Sequence, residues 1–315
     1  METKLAYLFP GQGAQTIGMG HSLYESSPAA RAVFQEADSI LGFALSRLCF
    51  EGPQEELSQT INTQPAIVTT SLATLRALEE AFPPGAMPHP AYLAGHSIGE
   101  YTALAASEAL EDSQAIYLAR ERGRLMHQAS LKNPGGMLAI IGLNEAQLEE
   151  ICHTAGVYMA NINCPSQIVL SGAKENLSEA AHLAKTRGAL RVIPLEVSGA
   201  FHTPLMNVIS EEFEKIVYQT PFKEAGIPII ANTSALPIKS ASEIKTELSR
   251  QLCQGVQWQK SVEYMLAQGV NTFVEIGPGR VLTGLVRRIN SEVKLFNLSD
   301  EASIMEFVRV WPTLG

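Results

Sequence analysis

Short apolar runs and amphipathic stretches alternate along this chain. Residues 5–9 (LAYLF) form a continuous apolar run closed by Pro10 and a Gly-rich turn at 10–13, the pattern of a strand buried on both faces. Helical spacing follows to about Leu48 and returns over 72–81, until Pro83, Pro84, Gly85, Pro88 and Pro90 break it. A second strand is predicted at 91–94, then a tight turn, a helix of small residues over 98–109 and a longer helix over 113–130. Strand–turn–helix units in succession predict a largely parallel α/β sheet.

The rhythm changes between about 132 and 197. A strand over 137–143 is followed by a helix over 144–155 with Asn144 as its cap, strands at 157–163 and 168–172, a helix over 175–186 and a strand at 190–195. The order β-α-β-β-α-β is ferredoxin-like. It predicts a small subdomain at 132–197 inserted into a larger domain formed by 1–131 and 198–315. The α/β pattern then resumes with strands at 227–231 and 272–276, a turn at 277–279 and a helix over 281–289. No internal repeat or low-complexity tract interrupts it.

Composition narrows the class. Of 315 residues, 46% are apolar and 17% charged, enough apolar material for a sizeable core. With 23 basic against 32 acidic residues the net charge is −9, which argues against a nucleic acid or an anionic membrane as partner. Cys49, Cys152, Cys164 and Cys253 form no CxxC pair and have no histidine at metal-ligand spacing, so they read as reduced, packed thiols. The opening METKLAYLFPGQG reads as a strand rather than a signal peptide, and no window approaches the roughly 18 apolar residues of a membrane span. A cytoplasmic protein, monomeric by default, is expected.

Chemistry enters at AGHSIGE (94–100), a G-x-S-x-G pattern between a predicted strand and a predicted helix. That context makes it a nucleophile elbow: Gly95 and Gly99 leave room for a strained turn that thrusts Ser97 out of the sheet edge, and the helix behind it aims N–H groups at an oxyanion. Without the flanking elements the same pattern arises by chance in Gly-rich turns. The turn FPGQGAQ (9–15) also lies at a strand's carboxyl end, where ligands gather in such sheets. A backbone N–H near Gln12, with that of Ile98, would complete an oxyanion hole; alternatively the segment is an ordinary turn.

Along the 113–130 helix, Ile116, Leu118, Ala119, Leu125, Met126 and Ala129 share one side, and Arg122 points into the middle of it, whereas Arg120 and Arg124 point to solvent. An inward guanidinium needs an anion, either a structural carboxylate or the carboxylate of a substrate. Among seven histidines, His202 in SGAFHTPLM stands where the inserted subdomain rejoins the larger domain, a usual place for a cleft. His96 adjoins Ser97, but neighbours on a tight turn point apart. The rest sit in polar or helical surface contexts.

FPGQGAQ at 9–15, GHSIGEY at 95–101, RG at 122–123, GAFH at 199–202, QL at 251–252 with VQW at 256–258, and EIGPG at 275–279 occur in that order. Together they resemble the malonyl-CoA:acyl carrier protein transacylase family, which includes the acyltransferase domains of polyketide synthases, over about residues 4–290. The resemblance implies an α/β-hydrolase-like domain with a ferredoxin-like insertion. It implies Ser97 as the acylated nucleophile, His202 as its base and acid, and the backbone carbonyl of Gln251 as third member in place of a carboxylate. Gln12 and Ile98 would supply oxyanion N–H groups, and Arg122 would grip the free carboxylate of malonate. Phe201, before the histidine, resembles the malonyl-selecting pattern of polyketide acyltransferases, although it also fits as plain core.

The implied reaction is ping-pong transfer of malonyl from malonyl-CoA through a Ser97 ester to the phosphopantetheine thiol of an acyl carrier protein, with no metal or redox cofactor. Asn161 and Asn163, two apart on a predicted strand, would either hydrogen-bond the acyl or pantetheine chain or cap the turn at 164–166. For an acidic carrier protein, the basic groups Lys185, Arg187 and Arg191, or Arg287 and Arg288, are the candidate docks. Rival expectations are an acyl hydrolase of the same fold, to which a carboxylate clamp is of no use, a transferase of larger acyl units, and a non-catalytic relative. A free-standing enzyme of fatty-acid or polyketide synthesis is expected.

Overall fold

A computed structural model describes residues 3–197 and 199–313. Ser198, where the sequence pattern returns the chain to the larger domain, lies outside the described residues, as do Met1, Glu2, Leu314 and Gly315. Among the described residues, ten strands form two sheets: β1 (Leu5–Phe9), β2 (Tyr92–Gly95), β3 (Gly135–Ile141), β4 (Tyr158–Cys164), β5 (Gln167–Ala173), β6 (Arg191–Pro194), β7 (Ile229–Ile230), β8 (Pro237–Ile238), β9 (Thr272–Ile276) and β10 (Lys294–Leu298).

The larger sheet runs β10-β9-β1-β2-β7-β8, parallel throughout except for the final β7–β8 pair. Its central strands β1 and β9 are buried along their whole length, as their unbroken apolar runs require. The smaller sheet is antiparallel in the order β4-β5-β3-β6, with helices Glu145–Ala155 and Lys174–Thr186 packed on it. This is the ferredoxin-like arrangement, joined to an α/β-hydrolase-like domain. A separate apolar cluster, with Ile140, Leu148, Ile151 and Leu170 inside it, gives the smaller sheet its own core.

The sheets meet where β4 turns its edge to the larger domain. Asn161 pairs in parallel with Val256, Ile162 N–H donates to the Val256 carbonyl, and Val256 N–H donates to the Ala160 carbonyl. β4 also packs on the helices Trp258–Ala267 and Val281–Ile289. One wall of the interdomain cleft is thereby anchored by backbone hydrogen bonds.

Several elements differ from the pattern expected. The helix assigned to 72–81 begins at Thr60 and runs to Ala81 with Pro65 inside it. Pro65, the sixth residue of that helix, removes the N–H that would bond the Ile61 carbonyl, and this carbonyl accepts from Arg120 Nη1 instead. Helices Asn207–Gln219, Ala241–Gln251 and Trp258–Ala267, and strand β10, had no sequence assignment. Arg120 is half-buried rather than free in solvent: its Nη1 donates to the Ile61 carbonyl and to Asn62 Oδ1, both at 2.9 Å, and its head group lies over the Phe43 ring. All four cysteines are free thiols, and burial pushes those of Cys152 and Cys253 up to about 11.

Candidate active site

The carboxyl end of β2 leads through His96 and Ser97 into the helix Gly99–Ala106. Ser97 sits at φ 52°, in the left-handed region a side chain rarely adopts. Two glycines make the turn possible. A Cβ on Gly95 would fall against the Gly99 carbonyl, and one on Gly99 against the carbonyls of Phe9 and Pro10. Asn232, at the end of β7, clamps the strained peptide from both sides: its Oδ1 accepts from Ser97 N–H and its Nδ2 donates to the Gly95 carbonyl, each at 2.7 Å.

His202 approaches Ser97 from the other side of the cleft. Its Nδ1–H donates to the Gln251 backbone carbonyl at 2.8 Å, which leaves Nε2 to accept from Ser97 Oγ at 2.7 Å. Gln251 is the last residue of the Ala241–Gln251 helix, where a carbonyl has no partner within the helix and lies at the negative end of the dipole. A helix terminus thus occupies the position a carboxylate takes in a serine triad. Burial first, then the positive charge of Arg122, hold the imidazole pKa down to about 3, against the opposing hydrogen bond to Gln251. At neutral pH the ring is therefore unprotonated and ready to accept a proton.

Arg122 is 1% exposed. Nη1 donates to Gln64 Oε1 at 2.8 Å, and Nη2 to Gln251 Oε1 at 2.9 Å and Ser97 Oγ at 3.2 Å. Nε has no partner among the described residues. None of these acceptors is a carboxylate, so the guanidinium carries its charge to the nucleophile without a direct ion pair. Gly123 makes the placement possible: a Cβ there would lie 2.8 Å from the Thr60 carbonyl, so glycine lets the Asp112–Lys132 helix close on the Thr60–Ala81 helix that carries Gln64.

Gln12 and Ile98 line the same pocket, and among the described residues neither backbone N–H is engaged in a hydrogen bond. The Gln12 side chain donates from Nε2 to Thr60 Oγ1 at 3.3 Å. Met126, Met137, Asn161, Leu195, Val197 and Phe201 form the walls. Asn163 does not cap the 164–166 turn: its Oδ1 accepts from His96 Nε2 at 2.9 Å, and the His96 ring packs against Trp258. His96 thus ties the elbow to β4 while lining the same pocket as Ser97. Asn161 lines the pocket, whereas Asn163 is held on His96.

The basic candidates separate in space. Arg187 is engaged with Glu150, and Arg191 stands on edge strand β6. Arg287 and Arg288 are exposed in the last turn of the Val281–Ile289 helix, which packs on β4, and Arg288 bonds Gln167. Sequence reasoning did not single out Gln64, Asn232 or Glu100. Asn232 had a usable signal, a polar residue directly after a buried strand's carboxyl end; Gln64 had none.

The family model for the acyl transferase domain matches residues 6–307. The chain belongs to the acyl transferase family. This acyl transferase is 44% identical over 307 residues to the malonyl CoA-acyl carrier protein transacylase of Bacillus subtilis, covering 96% of this chain and 95% of that one. Against the acyl carrier protein S-malonyltransferase of Vibrio cholerae the TM-score is 0.91 at 39% identity, covering 96% and 99% of the two chains. A malonyl-transacylase solved in complex with its type II polyketide-synthase acyl-carrier protein gives 0.93 at 36% identity, covering 98% and 99%.

Proposed function

We propose that the protein transfers malonyl from malonyl-CoA to the phosphopantetheine thiol of an acyl carrier protein through an ester on Ser97. The reading rests on one observation above all: Ser97 Oγ lies between a neutral His202 Nε2 at 2.7 Å and a fully buried Arg122 Nη2 at 3.2 Å. A short diacid esterified at that oxygen has its free carboxylate within reach of the guanidinium, which binds carboxylates through two parallel hydrogen bonds.

His202 takes the Ser97 proton as Oγ attacks the thioester carbonyl. The N–H groups of Gln12 and Ile98 receive the oxyanion, and CoA leaves as the thiol with the proton from His202. The carrier protein's thiol then attacks the ester by the reverse sequence. No metal or redox cofactor is needed for these steps. Phe201, beside His202, limits room at the malonyl C2, and Asn161 offers its amide to the acyl or pantetheine chain. Arg287 and Arg288 serve as the carrier-protein dock, since their helix supports the strand that borders the pocket. The small subdomain spans 132–197, and the enzyme works in the cytoplasm as a monomer.

Incubation with malonyl-, methylmalonyl-, acetyl- and butyryl-CoA and one phosphopantetheinylated carrier protein, recording transfer and hydrolysis together, tests the reading. Malonyl transfer far above every other product is expected. Predominant hydrolysis, or preference for a neutral acyl group, would overturn it.

A further inference from the structure

One buried acid takes no part in the proton transfers above. Glu100, on the first turn of the helix behind Ser97, is 1% exposed. Its Oε1 accepts from Asn232 N–H at 3.2 Å, and its Oε2 accepts from Gln251 Nε2. Each of those partners holds reacting groups. The Asn232 side chain clamps the elbow through Ser97 N–H and the Gly95 carbonyl. Gln251 also donates from Nε2 to the Ser97 carbonyl at 3.0 Å, accepts from Arg122 Nη2 at its Oε1, and orients His202 with its backbone carbonyl.

The Gln251 amide has only one permitted orientation. Its NH2 end meets two acceptors, the Ser97 carbonyl and Glu100, and its oxygen meets a guanidinium. Turned over, it would set oxygen against oxygen at one end and N–H against N–H at the other. In the orientation observed, the amide dipole points its positive end at the Glu100 carboxyl and its negative end at Arg122. Gln251 thus stands between the acid and the buried cation, and the guanidinium is not locked into an ion pair that a substrate carboxylate would have to break.

We infer that Glu100 is a positioning residue: through Gln251 and Asn232 its two oxygens hold the base, the clamp and the strained nucleophile as one unit while leaving Arg122 open to the substrate. The inference rests on the roles given above to Ser97, His202 and Arg122. Two acceptors are needed, so an amide at position 100 fails in either orientation, since one N–H would face either Asn232 N–H or Gln251 Nε2.

The test uses the full chain with Glu100→Gln, Glu100→Asp and Glu100→Ala, active sites being counted by the burst of CoA release. Glu100→Gln, closest in shape, should lose about tenfold or more in kcat per active site. Glu100→Asp, which keeps two acceptor oxygens on a shorter stem, should outperform it. Where Glu100→Gln does not fold, Gln251→Asn reads the same link, because it withdraws the amide while keeping the backbone carbonyl, and a comparable fall in kcat is expected. Wild-type kcat per active site in Glu100→Gln or Gln251→Asn, or rates that follow side-chain size rather than acceptor count, would overturn the inference. Ser97→Ala is the control: if it still transfers malonyl, the site assignment has failed, whereas an inactive Ser97→Ala beside a fully active Glu100→Gln removes only the role of Glu100.

Discussion

Replacing Arg122 by alanine separates binding of the substrate's carboxylate from the chemistry at the thioester. The guanidinium is fully buried and its acceptors are neutral, so the malonyl carboxylate would be its first anionic partner. A hydrogen bond to a charged group contributes about 1.5–3 kcal/mol, and a two-pronged pair about 3–4 kcal/mol once overlap is allowed for. At about 1.4 kcal/mol per factor of ten, kcat/KM for malonyl-CoA should fall roughly 100- to 1,000-fold. Part of that loss is unrelated to the carboxylate, because Arg122 also holds Gln64, Gln251 and the Ser97 hydroxyl. The ratio of malonyl- to acetyl-CoA turnover is therefore the decisive quantity. Steady-state CoA release with both substrates should show the ratio collapsing by about 100-fold. An unchanged ratio, even with both rates reduced, would refute the clamp and make Arg122 a structural residue.

Two further outcomes follow from the same geometry. With the His202 pKa held at about 3, the base stays unprotonated above that value, so kcat/KM for malonyl-CoA should be flat between about pH 5 and 7. A free-enzyme acid limb centred near the ordinary histidine value of 6.5 would show that burial and Arg122 do not control the base. Charge reversal of Arg287 and Arg288 should raise KM for the carrier protein several-fold and leave that for malonyl-CoA unchanged. Equal effects on both substrates, or none, would move the dock elsewhere.

The parts of the fold legible in the sequence are those fixed by local pattern. β1, β9 and the Val281–Ile289 helix occur at their expected bounds, and Asn144 caps its helix with a reciprocal bond from Gln147. Arg122 was legible as an inward charge because a helical period fixes which face a residue occupies. What that charge meets is a tertiary matter: Gln64 lies 58 residues before it and Gln251 129 residues after. Local pattern had left open a carboxylate from the protein or from the substrate, and the contacts observed are two amides and a hydroxyl. Asn163 followed the same course, since nothing nearby in sequence points to His96, 67 residues away. Pro65 masks the start of the Thr60–Ala81 helix, because local pattern reads a proline as a helix break, and the contact that relieves it, Arg120 on the Ile61 carbonyl, lies 59 residues away.

Peptide mapping by mass spectrometry after a brief exposure to malonyl-CoA without carrier protein probes the pairing of Ser97 with Arg122. One malonyl group on the peptide bearing Ser97 is expected in the wild type, none in Ser97→Ala, and little in Arg122→Ala, whose Ser97 peptide should instead carry an acetyl group when acetyl-CoA is supplied. A malonyl adduct on any other residue, or one that persists in Ser97→Ala, would contradict an acyl-enzyme held at both ends.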